Sequence, residues 1–323
     1  MISPDDAEDQ PDLSPLAISS RILSTYNRIH AHLHETRLLF DEDSGLWLKC
    51  ESDQKTGSFK WRGALSKLST FGPGHNIVTA STGNHGLAVA TAANLYNLKV
   101  KIFVPSNAST VKIAKIRDAG AEVIEIEGDS LAAELAGKKF ASDHDFEWVS
   151  PYNDIDVIAG QGTIGLEIDD QLSPIEHVYV TVGGGGLISG IASWMKSHHP
   201  HIEIIGCLPE NSPEMYLSTL AGHVVAAPGA KDTLSDGSAG PLEEESITFP
   251  LCNDLIDRFL LISEEEIKEA IHHLYFHQGI VAEGAAGVAM AAAMKDHDLP
   301  GNKVVILCGG NIDMLVHQNI CGY

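Results

Sequence analysis

The chain has 323 residues, 44% hydrophobic and 6% aromatic, enough for one large domain or two lobes with buried cores. A formal net charge of -23 without clustered Lys or Arg argues against nucleic acid and other anionic partners. No run of about 18 uncharged apolar residues is present, so no transmembrane helix is expected. Five scattered cysteines (50, 207, 252, 308 and 321) with no Cys-x-x-Cys pair point to a reducing, cytoplasmic setting.

The opening MISPDDAEDQPD is acidic, lacks the regions of a signal peptide and reads as a disordered tail. His30, His32 and His34, like His198, His199 and His201 later, raise a metal reading. Alternation by two does not put three histidines on one helix face, and no thiol or acid has zinc-site spacing, so they read as solvated histidines. Strands are predicted at LWLKC (46–50), NIVTA (76–80), VKIFVP (100–105), EVIEI (122–126) and EWVSP (147–151). HVYVTV (177–182), EIIGCL (203–208), RFLLIS (258–263) and KVVILC (303–308) follow. Such near-continuous apolar runs belong to parallel sheets buried on both faces. Between them ASTVKIAKIRDAG reads as a helix capped by Ser109 or Thr110 and ended by Gly120. SEEEIKEAIHHLYFHQG opens with a capping box, Ser263 to Glu266, and closes at Gly279. Alternating strand and helix gives an α/β fold with two lobes, each a mostly parallel sheet covered by helices. Residues 76–152 form the expected small domain; 1–75 and 153–323 form the large one.

Three loops carry chemistry. In DQKTGSFKWRGA, Lys60 sits between Phe59 and Trp61 in the first turn of an expected helix. The helix N-terminus and aromatic desolvation both disfavour a protonated amine. A neutral amine serves Schiff-base chemistry; a lysine snorkelling past Phe59 to water is the other reading. In VGGGGLISGIA, Gly183, Gly184, Gly185 and Gly186 leave backbone amides free to face one anion before a helix start. This is a phosphate cradle or a tight structural turn, and it matches neither the dinucleotide nor the Walker pattern. In ASTGNHG (80–86), small hydroxyls, an amide and helix-start N–H groups suit a carboxylate, or a plain capped turn. Together the three supply what pyridoxal phosphate needs to act on an amino acid. EGAAGVAMAAA (283–293) adds a small-residue helix, and LCGGN (307–311) sets Cys308 beside two glycines.

From about Leu46 to Asp313 the chain resembles the fold-type II pyridoxal phosphate enzymes (tryptophan synthase β-like), within them the serine/threonine dehydratase and serine racemase group. KTGSFKWRGA, STGNHG, VGGGGLISG, EGAAG and CGGN carry the resemblance, in that group's order and spacing. It implies that Lys60 is the Schiff-base lysine, that Phe59 packs on the cofactor ring and that Asn84 bonds its 3-hydroxyl. It implies that Gly183, Gly184, Gly185 and Gly186 bind the phosphate and that Cys308 faces the pyridine nitrogen. Ser81, Thr82, Gly83 and His85 would receive the substrate carboxylate, with Asp236 either on the substrate side or a plain turn aspartate. The implied activity is a lyase that eliminates water from an L-serine or L-threonine type amino acid, giving a 2-oxo acid and ammonia. Lys60 is its general base. Alternatives are a racemase, in which Thr82 returns the proton from the opposite face, a lyase for 3-hydroxyaspartate, and more distantly a β-replacement synthase. A homodimer is expected.

Departures are visible too. Arg37 stands where the group has proline, and no C-terminal regulatory domain is expected. Leu208, Ser212 and Glu214 match positions that in many relatives hold Mg²⁺ or Ca²⁺, and a hydrocarbon cannot coordinate, so no metal is expected there in the usual manner unless Glu210 substitutes. Glu283 reads as a helix cap, and Arg62 as the partner of a structural carboxylate. A nicotinamide oxidoreductase would need a Gly-x-Gly-x-x-Gly turn, which is missing. A non-catalytic binding module would have lost Lys60 or the glycine run.

Overall fold

The structure is a computed structural model that describes residues 11–323; apart from residues 11 and 12, the acidic tail lies outside the described residues. Its strands are β1 (Leu38–Asp41), β2 (Leu46–Cys50), β3 (Asn76–Ala80), β4 (Lys99–Pro105), β5 (Glu122–Ile126), β6 (Glu147–Trp148), β7 (His177–Thr181), β8 (Glu203–Pro209), β9 (Arg258–Ile262) and β10 (Lys303–Leu307). They form a six-stranded sheet, β1-β2-β10-β7-β8-β9, and a four-stranded sheet, β5-β4-β3-β6. Every pair is parallel except β1 with β2. The sequence gives no sign of β1, because it is a short edge strand of which only Asp41 is buried. Nor does β6 reach 151: after Trp148 only the Val149 N–H still bonds Val78, and Pro151 has no N–H to give.

Among the described residues twelve helices cover the sheets: α1 (Pro15–Ile29), α2 (Lys60–Leu68), α3 (Asn84–Leu95), α4 (Thr110–Asp118), α5 (Ser130–His144), α6 (Ile155–Gln171), α7 (Gly186–His198), α8 (Glu214–Ala221), α9 (Thr248–Leu255), α10 (Glu264–Gln278), α11 (Gly284–Lys295) and α12 (Met314–Cys321). The capping box of α10 forms as the sequence predicts, and Gly279 ends that helix at φ +66°. One core lies between the six-stranded sheet and α1, α6, α7, α10 and α11. A second joins β3 and β4 to α2, α3 and α4. Among the described residues no helix is long and apolar enough to cross a membrane.

Candidate active site

β2 delivers the chain to a 3-10 turn, Glu51–Asp53, and Gly57 at φ +74° turns it back across the end of β10. There Ser58 bridges Gly309, and the Phe59 N–H donates to the Cys308 carbonyl at 2.9 Å. The lysine loop is thereby fastened to the strand end that carries the thiol. Lys60 is the first residue of α2. Its Nζ donates to the Pro151 carbonyl at 2.7 Å and lies 5.1 Å from the Phe59 ring centroid. Burial pushes the amine down to about 8, and the helix N-terminus acts with the same sign. Arg62, two residues on, is wholly buried and belongs to the framework. Its guanidinium takes Glu51 at 2.7 and 2.8 Å and Glu167 at 2.7 and 2.8 Å, which pins the first turn of α2 to the 3-10 turn after β2 and to α6.

The glycine run joins β7 to α7. Gly185 holds φ +87°, and a Cβ there would press on Cys252 Sγ at 2.8 Å. A Cβ on Gly183 would meet the Ser238 carbonyl at 2.7 Å, and Gly184 and Gly186 lie against Tyr152. The Gly184 carbonyl accepts from Thr248 Oγ1 at 2.6 Å and the Gly185 carbonyl from Cys252 Sγ at 3.9 Å. Among the described residues no oxygen accepts from the N–H groups of Gly183 to Gly186. These free donors stand at a helix start with no acidic residue in its first turn. Such a set asks for an anion with several oxygens.

In the third loop Gly83 caps α3 without a side-chain bond, and its N–H donates to Ser81 Oγ at 3.1 Å. The His85 side chain does not join Ser81, Thr82 and Gly83 at the surface of this loop. Its Nε2 lies 2.9 Å from Thr79 Oγ1 and 3.2 Å from the Val149 carbonyl, so the ring props the loop from below. Burial, with the nearby Lys60 charge, takes that imidazole down to about 3, which keeps it neutral. Asn84 turns its Nδ2 to both Glu283 oxygens, 2.9 Å each, while its Oδ1 accepts from Asn311 Nδ2 at 2.7 Å.

Glu283 makes no cap bond to its own helix, contrary to the capping expectation. It is buried, and burial raises its carboxyl while the Asn84 bond opposes. Cys308 Sγ is 3.9 Å from Glu283 Oε1, and burial followed by that carboxylate raises the thiol well above its usual range. Asp236 lies at the mouth, exposed and 3.4 Å from Lys112 Nζ.

Tyr152 and the Pro151 carbonyl join the site without a local signal in the sequence. Each acts through a contact between distant elements. Glu283 and Asn311 did stand in the EGAAG and CGGN stretches, but their partners could not be read there.

A lysine of lowered pKa, a backbone cradle for an anion and a buried neutral thiol are thus brought together through the Phe59–Cys308 bond, the Pro151 carbonyl and Tyr152. Such a set suits a phosphate-bearing carbonyl cofactor, and the donors fit pyridoxal phosphate. The family model described as pyridoxal-phosphate dependent enzyme matches residues 32–310, and the chain belongs to that family. It is 42% identical to the L-threonine ammonia-lyase of Thermotoga maritima over 83% of this chain and 68% of that one. It is 32% identical to the serine racemase of Dictyostelium discoideum over 91% and 94%. The processed form of threonine deaminase isoform 2 from Solanum lycopersicum superposes with a TM-score of 0.89 at 29% identity, covering 100% of this chain and 99% of that one.

Proposed function

We propose that the protein is an ammonia-lyase that removes water from a β-hydroxy amino acid of the L-serine or L-threonine type, yielding a 2-oxo acid and ammonia. The observation that carries this reading is Lys60, an amine lowered to about 8 and facing a neutral thiol, with no Asp, at the end of β10. Pyridoxal phosphate, when bound, supplies a carbonyl that condenses with amines and a conjugated ring that absorbs charge from Cα. The N–H groups of Gly183 to Gly186 and the start of α7 would hold its phosphate, and Phe59 would flank its ring. Cys308 is protonated and a weak donor, so it would not keep a ring nitrogen charged. That favours prompt loss of the β-hydroxyl over a long-lived charge at Cα.

Ser81, Thr82, Gly83 and the first N–H groups of α3 orient the substrate carboxylate. Lys60 Nζ takes the α-proton as general base. The β-hydroxyl leaves with a proton as water, and the released enamine hydrolyses to the 2-oxo acid and ammonia. Ammonia and 2-oxo acid assays of the holoenzyme on L-serine, L-threonine and 3-hydroxyaspartate test the reading, and no product from any of them overturns it.

A second reading is a racemase, favoured by one observation: Thr82 carries a hydroxyl in the loop where Gly83 N–H is taken by Ser81 Oγ, next to the start of α3. Chiral chromatography of L-serine incubations separates the two readings. D-serine formed faster than pyruvate, and lost in Thr82→Ala, would make racemisation the primary activity.

We also propose that no divalent metal is held at the group's usual place. In support, Leu208 is buried in the sheet and Glu214 Oε2 accepts from Ser212 Oγ at 2.7 Å. The split into 76–152 and the remainder is proposed as the domain boundary. The exposed Leu315 and Phe276 on α12 and α10 support a homodimer, and five free buried cysteines support a cytoplasmic location.

A further inference from the structure

One ion pair beside the site joins a helix packed on the four-stranded sheet to a turn packed on the glycine run. Lys112 lies in the first turn of α4. That helix backs the carboxylate loop, since a Cβ on Gly86 would touch Ile116 Cδ1 at 3.2 Å. Asp236 belongs to the turn 234–238. This turn is wedged between the glycine run and the start of α11: a Cβ on Gly183 would lie 2.7 Å from the Ser238 carbonyl, and one on Gly284 would lie 2.8 Å from the Ser235 nitrogen. Lys112 Nζ stands 3.4 Å from Asp236 Oδ2, with the two side chains 41% and 75% exposed. Both charges are felt inside. After burial and the Asn84 bond, Asp236 pushes the Glu283 carboxyl up and Lys112 pulls it down.

We infer that Asp236 is a specificity-determining residue: by neutralising Lys112 it denies a second substrate carboxylate its counter-charge and restricts the site to β-hydroxy amino acids with uncharged side chains. This rests on the ammonia-lyase reading. A dicarboxylic substrate would bring one more anion to a mouth already carrying Asp236 and, deeper, Glu283. A monocarboxylic substrate needs only the N–H groups of the 81–85 loop.

The test is Asp236→Asn, which keeps the shape and frees Lys112. On the holoenzyme, kcat/KM for threo-3-hydroxyaspartate relative to L-threonine should rise about tenfold, the scale of one partly screened charge contact. Adding Lys112→Met should remove the gain. In parallel, thermal shift titrations with succinate and butyrate should show the midpoint for succinate, and not for butyrate, falling by a similar factor in Asp236→Asn. An unchanged ratio, or an equal change for both substrates, makes the pair a clasp between the lobes and overturns the inference. If no hydroxy amino acid yields ammonia, the lyase reading fails instead. The succinate and butyrate titrations then still decide whether Asp236 controls dicarboxylate entry.

Discussion

Lys49 and Lys60 stand at either end of the same turn and live in opposite surroundings. Lys49, wholly buried on β2, gives its three donors to Glu167 at 2.7 Å, the Thr36 carbonyl at 2.9 Å and Gln171 at 3.0 Å. Lys60 has one neutral carbonyl and an aromatic face. Burial lowers both amines, and at Lys49 the carboxylates of Glu167 and Glu51 push back. For Glu167, burial would raise the carboxyl, yet Arg62 and Lys49 outweigh it and hold it low. Burial therefore does not by itself make an amine reactive. Withholding a contacting counter-charge does: the fold sets a carboxylate against Lys49, while among the described residues Lys60 feels Cys308 and Glu283 without an ion pair.

The largest effect should come from Lys60→Met, which cuts ammonia release by about 10³-fold or more and abolishes the borohydride-reducible adduct seen by mass spectrometry. Lys49→Met should keep that adduct on Lys60. An adduct and turnover surviving in Lys60→Met would break the comparison. Next, Glu167→Ala strips the shared partner from Lys49 and Arg62 and should cost about 3–5 kcal/mol in urea unfolding.

Smaller and of opposite sign, Lys60→Met should stabilise the cofactor-free protein at pH 7 by about 3 kcal/mol. The amine's folded value, about 8, lies below its ordinary 10.5. The folded state thus binds fewer protons between those values, and stability rises with pH across that window. The cost of Lys60 is full below about 8 and gone above 10.5, so the gain from Lys60→Met should vanish by pH 10.5. Smallest of all, Arg117→Ala removes an exposed pair with Glu125 and should shift stability by less than about 0.5 kcal/mol. A larger shift would mean that exposed pairs here carry weight comparable with the buried network.

Much of the fold was legible because strands buried on both faces appear as near-continuous apolar runs, as the VYV of β7 and the VVIL of β10 do. β1 was not, since an edge strand with one buried residue has no such run. At the site, Lys60 stood out by its aromatic neighbours and the glycine run by its length. The lock on Asn84 was hidden because Glu283 and Asn311 reach it from the start of α11 and the end of β10, and neither neighbour is local in sequence. The inward turn of His85 was equally unreadable, for it depends on Thr79 and on a carbonyl at 149.

The pairing of β3 with β6 has an evolutionary consequence. The chain enters and leaves the four-stranded sheet on adjacent strands, so that sheet is spliced into the six-stranded frame through a single doorway. Recombination could exchange the segment as a cassette, bringing a new carboxylate loop while the glycine run stays untouched. The return junction limits such exchange. Pro151 holds Lys60, and Tyr152 packs on Gly184 and Gly186. A viable crossover must therefore fall before residue 151, or carry both contacts with it.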